Sequence, residues 1–168
     1  MISRIKIPEA RLGVLIGGRG TVKRKIEHKL GVRITVGEEI VIVGEDAVAV
    51  MTAESVVKAI GRGFAPEKAF KLFDENVTLY ILPLPKDERV LKRIKSRIIG
   101  AGGRARANLE RLSGTDISVY GRTVSVIGEY ECVDAILEAL KKLIAGFSHA
   151  AVYEMLEKKK REMKMQIM

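Results

Sequence analysis

The chain has no tryptophan, one cysteine, two histidines and four prolines, and its other aromatics are four phenylalanines and four tyrosines. Each scarcity removes a class of function. The lone Cys132 excludes an intramolecular disulfide, and a reducing, cytoplasmic compartment is the simplest reading. His28 and His149 stand far apart with no cysteines clustered beside them, so no zinc ligand set is expected. So few aromatics argue against recognition of nucleic acid on a stacking platform. No segment approaches the uninterrupted apolar length of a membrane span. Met1 to Lys6 alternates polar and apolar residues and lacks the apolar block of a secretory signal. No Walker phosphate loop is present. Among the acidic residues, Glu38-Glu39 falls in a turn and Asp87-Glu88 in the first turn of a helix, so no general acid–base pair is assigned. The chain reads as a non-catalytic protein without metal or cofactor.

What is abundant is positive charge. Thirty Lys and Arg against 21 Asp and Glu give a net charge of +9. The favoured partner is a polyanion, nucleic acid ahead of an anionic membrane surface. A charged content of 30% in a short-loop chain also fits adaptation to heat. Hydrophobic content of 47% is that of a globular protein.

The chain also repeats itself. Ile16-Gly17-Gly18-Arg19-Gly20 and Ile99-Gly100-Ala101-Gly102-Gly103 are the same GxxG loop met twice, each followed by a basic amphipathic stretch. Ile26-Glu27 matches Leu109-Glu110 at the same offset, and Gly31 to Val36 matches Gly114 to Val119. After a one-residue shift Val43-Gly44-Glu45 matches Ile127-Gly128-Glu129, and Phe64 pairs with Phe147. The repeating unit is roughly 60–70 residues, the size of a small domain.

The hydrophobic periods give each copy one order: strand, helix, GxxG, helix, strand, strand, helix. In the first copy the strands are Ile2–Ile7, Val32–Val36 and Ile40–Val43. The helices are Glu9–Ile16, Thr21–Leu30 stopped by Gly31, and one capped by Asp46 that carries Val48, Met51, Val56, Val57 and Ile60. Gly61-Arg62-Gly63 reads as the stop of that helix. In the second copy Val77–Leu82 precedes a helix with Val90, Ile94 and Ile98 as its stripe. After the loop come the helix Arg104–Leu112, strands Ile117–Tyr120 and Thr123–Ile127 around Gly121-Arg122, and a helix with a long apolar face from Val133 to Ile144. The expected domains are residues 1–65 and 76–147. A short helical linker at 66–75 joins them, and a basic C-terminal helix occupies 148–168.

Between two helices, a GxxG loop brings backbone close to a ligand, and the following helix aims its N-terminus at it. Free N–H groups and the positive dipole end favour phosphate there. Lys23, Arg24 and Lys25 in the first copy, and Arg104 and Arg106 in the second, add charge at the same place. A sugar-phosphate backbone is the natural occupant. The bland alternative is a tight glycine turn with solvated charges. A dinucleotide site is rejected, because its glycines follow a strand and these follow a helix. Tyr120, at the second hairpin, is either a stacking contact or a cross-strand packing residue.

The repeating unit resembles the KH domain, a single-stranded nucleic-acid-binding fold, in its type I arrangement. The resemblance covers nearly the whole chain and implies an α+β fold of two tandem type I KH domains, each a three-stranded sheet packed with three helices. In that family the loop clamps about four nucleotides of backbone, so two loops imply roughly eight. By resemblance the RNA-binding residues are Ile16, Gly17, Gly18, Arg19, Gly20 and Lys23 with Ile34 of the following strand. In the second copy they are Arg97, Ile99, Gly100, Ala101, Gly102, Gly103, Arg104 and Arg106 with Ile117. Lys23 and Arg106 depart from the family, which usually has isoleucine there. The runs Arg97 to Arg106 and Ile117 to Val124 are similar to the archaeal relatives of Partner-of-Nob, also called Dim-two. That resemblance implies a small-ribosomal-subunit assembly factor. It would bind single-stranded RNA near the 3′ end of the small-subunit ribosomal RNA and assist a separate endonuclease that matures it. An alternative is a protein-interaction adaptor of the translation or ribosome-assembly machinery, with one KH copy docking protein. No membrane partner is expected.

Overall fold

The computed structural model describes residues 1–167; Met168, the end of the expected C-terminal helix, lies outside the described residues. The chain divides into two compact units, residues 1–75 and residues 76 onward. Both are α+β, each with a three-stranded antiparallel sheet.

In the first unit, β1 (Ile2–Ile5), β2 (Arg33–Val36) and β3 (Ile40–Val43) form a sheet of order β1-β3-β2. The helices are α1 (Leu12–Ile16), α2 (Thr21–Leu30), α3 (Ala47–Gly61) and the single turn α4 (Pro66–Ala69). Alternation along the strands sends Ser3, Ile34, Ile40 and Ile42 to the helices, where all are buried. Leu15, Ile26, Val56, Val57 and Ile60 close the core from above. Asp46 caps α3, its Oδ1 accepting from the Val48 N–H at 2.9 Å. Of the apolar residues this helix carries, Val48 and Met51 are 69% and 57% exposed, and Val50 and Ala53 take the core side with Val56, Val57 and Ile60. This helix is apolar almost all round, so its period does not single out a face. Of the 66–75 stretch, residues 66–73 are helical, and these turns pack against α3 within the first unit.

In the second unit, β4 (Val77–Pro83), β5 (Asp116–Tyr120) and β6 (Thr123–Glu129) form a sheet of order β4-β6-β5. Tyr120 opposes Thr123 across a two-residue turn, and Gly121 has the positive φ (56°) that such a hairpin demands. The helices are α5 (Glu88–Ile99), α6 (Arg104–Ser113), α7 (Tyr130–Ile144) and α8 (His149–Ile167). Ile94, Ile98, Leu109, Ile117, Val124, Val126, Ile136 and Leu140 make the core. Burying each such side chain is worth about 1.5–3 kcal/mol. The C-terminal helix is not set apart from this unit: Val152 and Leu156 of α8 are 1% exposed and belong to the same core. Lys159 also pairs with Glu138 of α7, holding that carboxyl below its usual range.

Candidate nucleic-acid interface

Each glycine loop leaves one helix and starts the next, and the two copies agree dihedral by dihedral. Gly17 has φ 75°, ψ 172° and Gly100 has φ 72°, ψ 175°. Two residues on, Arg19 has φ 57°, ψ 29° and Gly102 has φ 61°, ψ 21°. Gly20 and Gly103 follow at φ 75° and 77°. The same bonds close both turns: Gly17 N–H to Gly13 O and Gly20 N–H to Gly17 O, Gly100 N–H to Ser96 O and Gly103 N–H to Gly100 O.

The first glycine is required on two counts. Its φ/ψ lies where essentially only glycine goes. A Cβ on Gly17 would also stand 2.8 Å from the Val22 nitrogen, and one on Gly100 2.8 Å from the Ala105 nitrogen. The middle positions are open: Gly18, Arg19, Ala101 and Gly102 are exposed, and a Cβ on Gly18 or Gly102 meets nothing within 4 Å. Arg19 is the one non-glycine at positive φ among the described residues.

The helices that follow are left without a side-chain cap. Gly20 and Gly103 are the N-cap residues of α2 and α6 and offer no side chain, whereas α3 and α5 are capped by Asp46 and Asp87. Their first-turn N–H groups and positive dipole ends therefore point at the loops. Basic side chains gather there. Arg104 is exposed and Arg106 half-buried; Lys23 is half-buried and meets Glu27 at 3.8 Å, a weak surface pair. The guanidinium of Arg24 lies over the loop, within 3.8 Å of where a Gly20 Cβ would be, while Lys25 sits 4.6 Å over the Phe70 ring.

Three expected site residues have other work. Ile34 and Ile117 are each 1% exposed, with side chains in the core, so they cannot line an open groove. What the strand does carry is a bond to its amide. Glu27 Oε2 accepts from Ile34 N–H at 2.8 Å, and Glu110 Oε2 from Ile117 N–H at 3.0 Å, which is why the repeat keeps that glutamate. Arg97 is tied back to the protein: its Nη2 donates to Phe147 O at 2.6 Å, at the end of α7. Its own carbonyl meets His149 Nε2 at 2.8 Å. In the first unit Arg11 plays the same part, donating to Ile60 O and Phe64 O at 2.8 Å. Each arginine places a cation at a helix C-terminus, where the dipole favours it. The pairing of Phe64 with Phe147 marks these two carbonyls, but the arginines lie at different offsets in the two copies.

Beside the second loop a cleft of about 760 Å³ runs along α5, lined by Leu91, Lys92, Lys95, Ser96, Ile99, Gly100 and Ala101 among others. Sequence reasoning missed Lys92, Lys95 and Ser96; with Ile99 they stand at i, i+3, i+4 and i+7, one face of the helix. The β5–β6 turn is clipped to the start of this helix. Lys95 donates to Gly121 O at 3.0 Å, and Arg122 donates to Lys86 O and pairs with Glu88. The first unit has a smaller cleft of about 490 Å³ lined by Lys6, Ile7, Glu9, Leu12, Gly37, Glu38 and Ile40. It carries two carboxylates against one lysine, whereas the second unit's cleft carries Arg89, Lys92 and Lys95 against Glu88.

The second unit, including much of α8, is also what a family model recognises: "Eukaryotic type KH-domain (KH-domain type I)" matches residues 81–161. A curated KH domain-containing protein from Methanocaldococcus jannaschii is 40% identical over 97% of this chain and 76% of its own. Solved structures are similar along nearly the whole length. Dim2p from Pyrococcus horikoshii OT3 shares 41% identity at a TM-score of 0.89, over 94% of this chain and 99% of that one. The same organism's a/eIF2alpha-aDim2p-rRNA complex contains a chain at 40% identity and TM-score 0.90, over 96% and 95%. A protein of unknown function from Aeropyrum pernix shares 40% identity at a TM-score of 0.94, over 99% and 94%.

Proposed function

The chain belongs to the KH-domain family of these archaeal relatives, and from that premise we propose that it is a non-catalytic single-stranded RNA-binding protein of two tandem type I KH domains. The observation that carries the reading is the doubled loop. Two glycine turns of the same dihedrals open onto uncapped helix N-termini, each flanked by exposed cations. Gly17, Gly20, Gly100 and Gly103 set the backbone curve. Gly18, Arg19, Ala101 and Gly102 form the surface against which phosphates lie. Lys23, Arg24, Arg104 and Arg106 supply countercharge, and Ile16 and Ile99 give the apolar shoulder. The cleft along α5 takes the adjoining bases.

The second domain is the stronger grip. Its cleft is larger and carries Arg89, Lys92 and Lys95 against the single carboxylate of Glu88, whereas Glu9 and Glu38 outnumber Lys6 in the first domain's cleft and repel phosphate. The biological target in this reading is the 3′ region of small-subunit ribosomal RNA, with the protein a cytoplasmic assembly factor that presents this tail to a maturing endonuclease. The similarity to a chain crystallised with rRNA supports it. Two RNA grips without a catalytic group fit that division of labour. The test is fluorescence anisotropy with a 3′-end ribosomal oligonucleotide against scrambled RNA of equal length and composition. Equal binding of the two leaves general RNA binding and removes the ribosomal assignment.

A further inference from the structure

The two ends of α6 face different chemistry. Its N-terminus holds the glycine loop. Its C-terminus, about 15 Å away for ten residues, borders a cavity of about 230 Å³ left between α6, α7 and α8. The walls are Leu112, Cys132, Ala135, Leu156 and Met163. Leu112, Ala135 and Leu156 are buried, and Cys132 and Met163 are partly so. Burial, then Glu129 and Glu131, push the Cys132 thiol up, which keeps it a neutral wall. Over the cavity and the depression beside it stand Arg111, Lys160 and Lys164, all exposed. None of the three has a hydrogen bond or ion pair among the described residues. Arg161 and Glu157 complete that bank. Lys159, by contrast, is occupied by Glu138. Beyond it the charge reverses, with Glu131, Asp134 and Glu162 lining the next hollow.

We propose that this cavity and its cationic bank form a docking site for an acidic amphipathic segment of a protein partner, separate from the RNA-binding loops. A large aliphatic or aromatic side chain of that segment seats between Leu112, Leu156 and Met163. Carboxylates beside it pair with Arg111, Lys160 and Lys164. The acidic hollow on the far side of Lys159 fixes which way the segment lies, since its carboxylates are repelled there. Basic residues alone would also suit RNA, but the cavity does not. A nucleobase brings hydrogen-bonding edges, and the hydroxyl nearest the wall, Ser113 Oγ, is already bonded to Leu109 O and Thr115 Oγ1. The base edges would be buried unpaired. A hydrocarbon side chain loses nothing by entering, which is the pattern of an amphipathic helix anchored in a groove.

The chain provides its own reporter, because Cys132 is its only cysteine and lines the cavity. The experiment follows alkylation of Cys132 by N-ethylmaleimide in the full-length protein, read by mass spectrometry. The probes are a 16-residue amphipathic peptide with leucines on one face and glutamates on the other, the same peptide with lysines for the glutamates, the same with serines for the leucines, and a ten-nucleotide oligouridine. The expected result is at least a fivefold slowing by the Leu–Glu peptide alone. Lys160→Glu with Lys164→Glu should remove that protection, while RNA affinity at the loops and the circular dichroism spectrum stay unchanged. Arg111→Glu is a second, independent variant with the same expected loss. Equal protection by the lysine or serine peptide, or no protection by any peptide, overturns the proposal. Protection by oligouridine also overturns it and makes the site one for nucleic acid.

Discussion

Arg19 and Gly102 occupy the same position of the same loop, and exchanging their identities separates what the position costs from what it does. Arg19 is held at φ 57°, ψ 29°. For a residue with a Cβ this left-handed conformation costs roughly 1–2 kcal/mol. Gly102 sits at φ 61°, ψ 21° without that cost. Arg19→Gly removes the strain but adds backbone freedom to the unfolded chain, worth roughly 0.5–1 kcal/mol against it. The net is a gain of about 0–1.5 kcal/mol, read as a melting temperature unchanged or a few degrees higher. Affinity should move the other way. Losing one exposed cation at a phosphate costs about 1 kcal/mol, roughly fivefold in Kd, and lowers the log–log salt slope by about 0.7. Gly102→Arg is the mirror experiment. Its Cβ meets nothing within 4 Å, so its cost is conformational alone. It should lose about 1 kcal/mol of stability and bind RNA more tightly. Thermal melts and anisotropy titrations at several salt concentrations on both variants test the pair. A marked loss of stability in Arg19→Gly would mean that Arg19 makes folded-state contacts exceeding its strain. An unchanged Kd and slope would mean that its side chain does not reach phosphate.

Gly100→Ala should destabilise the second unit by about 3 kcal/mol, because it forces a Cβ towards the Ala105 nitrogen at a glycine-only φ/ψ; Gly18→Ala, in open space at ordinary φ, should leave the melt within about 0.5 kcal/mol. Ala101→Asp with Gly102→Asp should abolish most RNA binding with a native circular dichroism spectrum, and the matching pair at Gly18 and Arg19 should weaken it less. Wild-type binding should favour single strands over duplex, with a log–log salt slope of about 2–4 for a handful of phosphate contacts; a slope near zero would contradict the mechanism. Glu54 is held below its ordinary pKa by the hydrogen bonds from Lys58 and Ser3. A depressed carboxylate pKa contributes stability above its unfolded value, about 4.3, and loses it as pH falls through the folded value. Glu54→Gln should therefore flatten the acid limb of a chemical-denaturation stability curve, and an unaltered limb would show that the network is silent.

The loops were legible in the sequence because glycine chemistry is local. Thr21–Leu30 and Ile40–Val43 have in the sequence the bounds the structure gives, and the cap at Asp46 follows from one or two residues of context; Asp87, expected in the first turn with Glu88, is the N-cap one residue before it. What sequence could not show is direction and distance. Whether Ile34 points at a groove or at the core depends on which face of the sheet the helices cover. That Val48 and Met51 face solvent while Val56 and Val57 are buried does not follow from the sequence, because α3 offers apolar residues on every side. Arg97 looked like a cation beside a glycine loop; its partner, the Phe147 carbonyl, is fifty residues further on. The cleft residues Lys92 and Lys95 drew no notice because polar residues on an amphipathic helix read by default as solvated.

The two copies sort their own residues into frame and face. Shared between them are the first glycine pressed on the next helix, the glutamate bonded to the strand amide, and the arginine that bonds the last helix's carbonyl. These hold one backbone shape twice, and each contacts protein. In the core the copies exchange one apolar residue for another, as at Ile26 and Leu109, whereas their differences in charge face outward: Gly18-Arg19 against Ala101-Gly102 at the loop, Glu9 and Glu38 against Lys92 and Lys95 in the cleft. A repeat serving only as a doubled scaffold has no reason to divide its differences that way. Surface charge of opposite balance beside two loops of the same geometry is what results when one grip is tuned for strength and the other for a different ligand or a lighter hold. The salt slope of each aspartate pair, measured separately, assigns each loop its share: the second loop's pair should lower it by more, and equal reductions would show two equivalent grips.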